Sequence, residues 1–135
     1  MENNKETLYP VLVDKKYGYI NKMGDIVIEP KYDYAEEFSN DLAIAGIDGK
    51  LGYINKKGET VIDFKFKSAN EFSEDLAAVQ MGYKWGYINK NGEEVIPFSF
   101  IDAYNFSEGL ALVQIGGKQG YINKEGKVVI EPKYD

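Results

Sequence analysis

The chain has 135 residues, 44% hydrophobic and 28% charged, which is typical of a soluble globular domain with one continuous core. Its 16 basic residues are all lysines, and the 22 acidic residues bring the formal net charge to −6. A chain without arginine cannot make bidentate contacts to phosphate or guanine. This balance therefore argues against nucleic acid and against an anionic membrane surface as partners.

Cysteine and histidine are both absent from the sequence. Disulfides, thiolate or imidazole metal sites, and Ser-His-Asp or Cys-His catalytic sets are therefore excluded. No apolar run approaches the roughly 18 residues of a membrane span, and the first residues lack the features of a secretory signal. We expect a cytoplasmic, single-domain protein with no metal and no cofactor.

The first predicted elements form a three-stranded antiparallel meander. Residues 8–13 are an apolar strand in which Pro10 cannot donate to a ladder, as suits an outer or first strand. Gly-Tyr-Ile-Asn, beginning at Gly18, is a second short strand. Asn-Lys-X-Gly then predicts a tight turn with positive φ at Gly24, after which the chain returns through a third strand ending in Val-Ile.

A connector of eight residues, 34–41, follows this meander and contains Ala-X-X-Phe-Ser. Residues three apart face the same way on a helix. We therefore expect Ala35 and Phe38 to lie on a single helical turn, with the phenylalanine under the sheet.

The same elements recur with a period of 34 residues. Gly-Tyr-Ile-Asn-Lys begins at residues 18, 52, 86 and 120, and Ala-X-X-Phe-Ser begins at 35, 69 and 103. The predicted units are residues 8–33, 42–67, 76–101 and 110–135. A fixed period of this kind indicates a repeat architecture, here four antiparallel meanders of the all-β class.

Both faces of the predicted strands carry apolar residues, so neighbouring units must cover one another. Two geometries satisfy this requirement: an open curled array of four sheets, or a closed propeller-like or barrel-like ring. We favour the open array, which leaves two end units exposed.

The repeats resemble the WG-repeat family of bacterial proteins. The resemblance rests on W-G-Y-I-N-K-x-G-x-x-V-I followed by A-x-x-F-S-E-G-L-A-x-V, matched between Trp85 and Val113. At the tryptophan position the other copies carry Tyr17, Leu51 and Gln119. The resemblance implies a β-rich repeat array that binds other molecules, and it brings no catalytic residues to transfer.

The remaining candidates for chemistry are better explained as connectors and turns. Carboxylates recur in every connector, whereas a catalytic pair is expected once, at a pocket. The candidate carboxylates are Glu36, Glu37, Asp41, Glu71, Glu74 and Asp75. The glycine-bearing run 116–120 departs from the phosphate-loop template, and no helix pattern follows it. The sequence therefore predicts a protein that is not an enzyme.

The third unit differs from the others in its aromatic residues. Tyr83 and Trp85 have less aromatic equivalents in neighbouring units, and Tyr104 replaces Glu36 and Asn70. Tyrosine and tryptophan are enriched at binding hot spots, so we interpret Tyr83, Trp85 and Tyr104 as a contact surface. With Tyr87, the first two would form an aromatic strip if the strand begins that early. The alternative is that Trp85 fills a gap between units.

The functional hypothesis is a non-catalytic module that binds another protein. The first alternative is a small-molecule or glycan binder, since tyrosines stack on sugar faces. The second is a structural protein that self-assembles, with homo-oligomers forming through the exposed end units.

Overall fold

A computed structural model describes residues 6–135, which form fifteen strands in four sheets. The first sheet contains β1 (Tyr9–Val13), β2 (Lys16–Ile20) and β3 (Ile26–Tyr32). The second contains β4 (Tyr34–Ala35), β5 (Leu42–Ile47), β6 (Lys50–Asn55) and β7 (Thr60–Phe66). The third contains β8 (Ser68–Ala69), β9 (Ala77–Met81), β10 (Lys84–Ile88) and β11 (Glu94–Phe100). The fourth contains β12 (Asp102–Ala103), β13 (Leu110–Ile115), β14 (Lys118–Asn123) and β15 (Val128–Tyr134).

The predicted all-β class and the tandem arrangement of four antiparallel sheets are confirmed. In every sheet the hydrogen-bonded neighbours are strands that follow one another in the sequence. Each sheet is open, with an edge strand on either side, so none closes into a barrel. Within residues 6–135 no helix is long and apolar enough to cross a membrane.

The connectors differ from the prediction. The expected helical turn is wrong, because Tyr34 and Ala35 form the short strand β4, which pairs with Gly46 and Ala45 of β5. The amide of Glu36 extends this ladder by donating to the carbonyl of Ile44 at 2.9 Å. The second, third and fourth sheets therefore have four strands, whereas three were predicted. Backbone pairing satisfies more polar groups here than one isolated helical turn could.

The Asn-Lys-X-Gly turns have the predicted geometry, with positive φ at all four glycines: Gly24, Gly58, Gly92 and Gly126. In the third sheet the side-chain oxygen of Asn89 accepts hydrogen bonds from the amides of Asn91 and Glu93, both at 3.0 Å. The amide of Gly92 donates to the Asn89 carbonyl at 2.9 Å. The asparagine thus binds the turn through side chain and backbone together, which explains its presence in every copy.

The glycine of each Gly-Tyr pair is required by a close backbone approach. A Cβ atom placed on Gly86 would lie 2.8 Å from the carbonyl oxygen of Ile96. The β10–β11 ladder is irregular at this point, because the pairing shifts register between Trp85 and Tyr87. The third strand bulges towards the second there, and only glycine leaves room for it.

The residue after this glycine is a tyrosine that defines one face of each sheet. We call the face bearing Tyr19, Tyr53, Tyr87 or Tyr121 the A face and the opposite one the B face. Contacts divide the chain into two compact units, one ending at Lys65 and the other beginning at Phe66. Each unit contains one A face packed against one B face.

In the first unit, the A face of the first sheet packs on the B face of the second. Its buried members include Tyr19, Ile28 and Tyr32, which contact Ala43 and Ile54. The core of this unit therefore lies between its two sheets.

The second unit repeats this packing with the third and fourth sheets. Tyr87, Ile96 and Phe100 of the A face contact Val113 and Ile122 of the B face. The connector phenylalanine Phe106, with Ala103, completes the cluster. Phenylalanine is thus tucked into the core as predicted, although it is carried there by extended backbone.

The A-face tyrosines join the sheets through their hydroxyls as well as their rings. Tyr19 donates to the carbonyl of Glu36, and Tyr87 to that of Tyr104, both at 2.6 Å. The Tyr87 ring lies edge-on to Phe106, with centroids 4.9 Å apart. Burial raises the pKa of Tyr19 and Tyr87 well above the usual value for a phenol.

One core tyrosine has a hydroxyl group that forms no such hydrogen bond. The Tyr32 hydroxyl is buried and has no hydrogen-bond partner among the described residues. The equivalent residues of the next two sheets are Phe66 and Phe100, which have no hydroxyl to satisfy. Burial of this unpaired hydroxyl therefore lowers the free energy of unfolding by about 1–3 kcal/mol.

We expect Gly86→Ala to lower the free energy of unfolding by about 2–3 kcal/mol, because the new methyl group would overlap the backbone of β11. Gly117→Ala is the matched control, since nothing lies within 4 Å of the Cβ it would add. Urea denaturation measures both, and equal stabilities of the two variants would contradict the close-approach explanation.

We also expect the melting temperature to fall as the pH rises above about 10, the pKa of an unperturbed tyrosine. The unfolded chain loses its phenolic protons first, because burial raises the pKa of Tyr19, Tyr53 and Tyr87 in the folded state. Melting curves between pH 8 and pH 12 test this expectation. Tyr87→Phe should flatten the pH dependence, and a pH dependence equal to that of the parent chain would contradict this explanation.

Candidate functional site

The predicted site residue Tyr83 lies in the turn between β9 and β10. The strand begins at Lys84, so the tyrosine stands outside the ladder, and its side chain is 85% exposed. The ammonium group of Lys67 lies 5.8 Å from the centre of its ring. This distance is within the range of a cation–π contact.

The predicted strip of Tyr83, Trp85 and Tyr87 does not form an exposed surface. Tyr87 is fully buried in the core of the second unit, and Tyr83 precedes the strand. Period-two alternation applies only within a strand, so it does not extend to a residue in the turn.

Trp85 is partly buried and packs against the core cluster of the second unit. On β10 it pairs with Gln80 of β9 and Phe100 of β11. Tyr17, the equivalent residue of the first sheet, packs against the core of the first unit in the same way. This packing fits the alternative interpretation, in which the tryptophan fills space between sheets.

Tyr104 combines a structural backbone with an exposed ring. Its carbonyl accepts the hydroxyl of Tyr87, and its amide donates to the carbonyl of Leu112 at 3.0 Å. Its own hydroxyl donates to the carboxylate of Asp102 at 3.1 Å, and this hydrogen bond raises the pKa of Tyr104. The ring is 44% exposed, so it remains accessible to a partner.

The end of the third sheet around Tyr83 gathers exposed apolar and basic residues. We call this surface the third-sheet tip and define it by Lys67, Met81, Tyr83, Lys84 and Ile101. These residues lie at the ends of all four strands of the sheet, because β9 and β10 meet there, β8 begins there and β11 ends there. All five side chains are exposed.

The charge of this tip differs from that of the first and fourth sheets. In those sheets the lysine that opens the second strand pairs with an aspartate that follows the third strand. The two pairs are Lys16 with Asp33 and Lys118 with Asp135. The corresponding positions in the third sheet are Lys84 and Ile101, so the carboxylate is replaced by an apolar side chain. Lys67 adds a second positive charge near Tyr83.

The connector carboxylate Glu74 has a structural role that the sequence did not reveal. It accepts hydrogen bonds from the amides of Glu108 and Gly109, at 2.6 and 3.0 Å, and pairs with Lys124 at 3.2 Å. These bonds hold the pKa of Glu74 below its usual value, the Gly109 amide contributing most. Glu74 therefore links the third and fourth sheets. Among residues 6–135, no group of three or more acidic side chains is placed to hold a metal ion.

Substitutions at the three predicted site residues should differ in their effect on the stability of the fold. Replacing Tyr83 and Tyr104 with serine should change the melting temperature little, because both rings are exposed. Trp85→Ala should lower the free energy of unfolding by about 2–4 kcal/mol, because it removes packing from the core cluster. Thermal unfolding followed by circular dichroism tests both, and a large loss in the double serine variant would exclude these tyrosines as a free surface.

The comparison with known families agrees with this architecture. The profile described as WG containing repeat matches residues 17–50, 52–85, 85–118 and 120–135. Each matched segment begins at the glycine of a Gly-Tyr pair, which the third strand approaches closely, or at the residue before that glycine. A search of curated proteins gave no match. Since the matched repeats cover most of its length, the chain belongs to the WG containing repeat family.

Proposed function

We propose that this chain is a non-catalytic interaction module that binds another protein through the third-sheet tip. The observation that carries the proposal is the exposed Tyr83 ring beside Lys67, at the one sheet end where an isoleucine stands in place of the aspartates of the first and fourth sheets. The partner surface would present carboxylates next to apolar side chains.

Charge supports this choice of partner. The chain as a whole is acidic, with a net charge of −6, so most of its surface repels an acidic protein. At the third-sheet tip Lys67 and Lys84 are exposed and supply two positive charges. Complementary charge at one place orients an approaching partner and suppresses binding elsewhere.

Side-chain chemistry supports a compact contact centred on Tyr83. A tyrosine ring buries a large area with few rotatable bonds and keeps a polar hydroxyl. Met81 and Ile101 extend the apolar area on either side, at 43% and 45% exposure. Tyrosine is enriched at binding hot spots, and the side chains around a hot spot serve to exclude water from it.

Site-specific photocrosslinking tests the proposal. A benzophenone amino acid at position 83 should capture a partner in cells of the source organism. The same amino acid at Lys15, the equivalent turn position of the first sheet, is the matched control. The captured protein is then purified, and its affinity for Tyr83→Ser and Lys67→Ser is measured by calorimetry.

Tyr83→Ser should weaken binding by roughly 30-fold, as expected for a hot-spot tyrosine. Lys67→Ser should weaken it less, and added salt should reduce that difference. Equal crosslinking from positions 15 and 83, or an unchanged affinity of Tyr83→Ser, would contradict the proposal.

A further inference from the structure

Within residues 6–135, the A face of the fourth sheet is left uncovered. In the third sheet the A-face residues Tyr87, Ile96 and Phe100 are at most 5% exposed. At the equivalent positions of the fourth sheet, Tyr121 and Ile130 are only half-buried, and Tyr134 is 50% exposed. These are the side chains that pack against a following sheet elsewhere in the chain.

Among the described residues, none covers the B face of the first sheet either. Its residues include Tyr9 and Val13, each 40% exposed, and the half-buried Val11 and Ile20. The equivalent B-face residues of the second sheet, Ala43, Ala45 and Ile54, are buried in the core of the first unit. Tyr9 replaces Ala43 in this series and brings an aromatic ring to the face.

We infer that copies of this chain associate head to tail, the A face of the fourth sheet binding the B face of the first sheet of a second copy. Both units of the chain already contain an A face packed on a B face, so the contact would reproduce an interface that the protein forms twice. This inference is independent of the proposed function, because it uses neither Tyr83 nor its neighbours.

Charged residues at the two faces match in the same register. Within each unit, the lysine of the later Asn-Lys-X-Gly turn contacts the residue 50 positions earlier. These contacts are Lys56 with the Glu6 carbonyl at 2.8 Å and Lys124 with the Glu74 carboxylate at 3.2 Å. The next contact of the series would join Glu108 to Lys22 of the second copy, and both side chains are exposed.

The contact would be heterologous, since it joins two different surfaces of identical chains. After pairing, the dimer would keep one free A face and one free B face, one on each copy, so further copies can add. Assembly would therefore depend on concentration. A substitution that blocks either the fourth-sheet A face or the first-sheet B face would stop it.

Two blocked variants test this arrangement directly. Tyr134→Asp places a charge on the fourth-sheet A face, and Val13→Asp places one on the first-sheet B face; both positions are exposed, so folding should be retained. Analytical ultracentrifugation of the parent chain should show concentration-dependent association at up to about 1 mM, where weak contacts are populated. Each variant alone should stay monomeric, and an equimolar mixture should form only a heterodimer.

Exchanging the charges of Glu108 and Lys22 tests the same contact without changing its apolar residues. Glu108→Lys should lower the association constant by roughly five- to tenfold, and adding Lys22→Glu should restore it. Glu94→Lys, at an exposed residue of the third sheet outside its tip, is the control and should associate like the parent. A parent chain that remains monomeric at about 1 mM, or blocked variants that associate as the parent does, would overturn the inference.

Discussion

The close approach of the third strand to the glycine of the second is the constraint on which the rest of the structure depends. The ideal Cβ position on Gly18, Gly52, Gly86 or Gly120 lies only 2.5–2.8 Å from a backbone oxygen of that strand. Because the third strand bulges there, its later residues regain pairing with the residue before the glycine, as Phe100 does with Trp85. The glycine thus fixes which residues of the third strand reach the A face. The tyrosine that follows it is placed to contact the next connector.

The A faces of the first and third sheets are each completed by the next sheet, so the smallest stable element is a pair of sheets. Tyr87 illustrates this dependence, because its hydroxyl binds a carbonyl of the following connector and its ring contacts Phe106 of the same connector. A single meander would expose these groups to water and lose both contacts. The family signature therefore records requirements of packing between sheets, and the residues free to carry function are those outside it.

Much of this could be predicted from the sequence, because the period of 34 residues and the turn chemistry act locally. Positive φ at Gly92 and the two strands beside it follow from Asn-Lys-X-Gly alone. The connector could not be resolved in the same way, since residues three apart share a face on a helical turn, whereas the observed conformation depends on pairing with a later strand. Similarly, the exposure of Tyr83 depends on where β10 begins, and the linking role of Glu74 depends on amides 34 and 35 residues away. Neither is encoded in a local pattern.

The sequential strand order has a consequence for the folding kinetics. Every ladder joins strands that are neighbours in the sequence, so no strand has to find a distant partner before it can pair. All-β proteins usually fold slowly, because long loops must close before their non-local contacts form. Here each hairpin closes through a short turn, and a second sheet can add to any sheet already formed. The chain should therefore fold faster than a β-sandwich of equal length, and folding can start at more than one place along it.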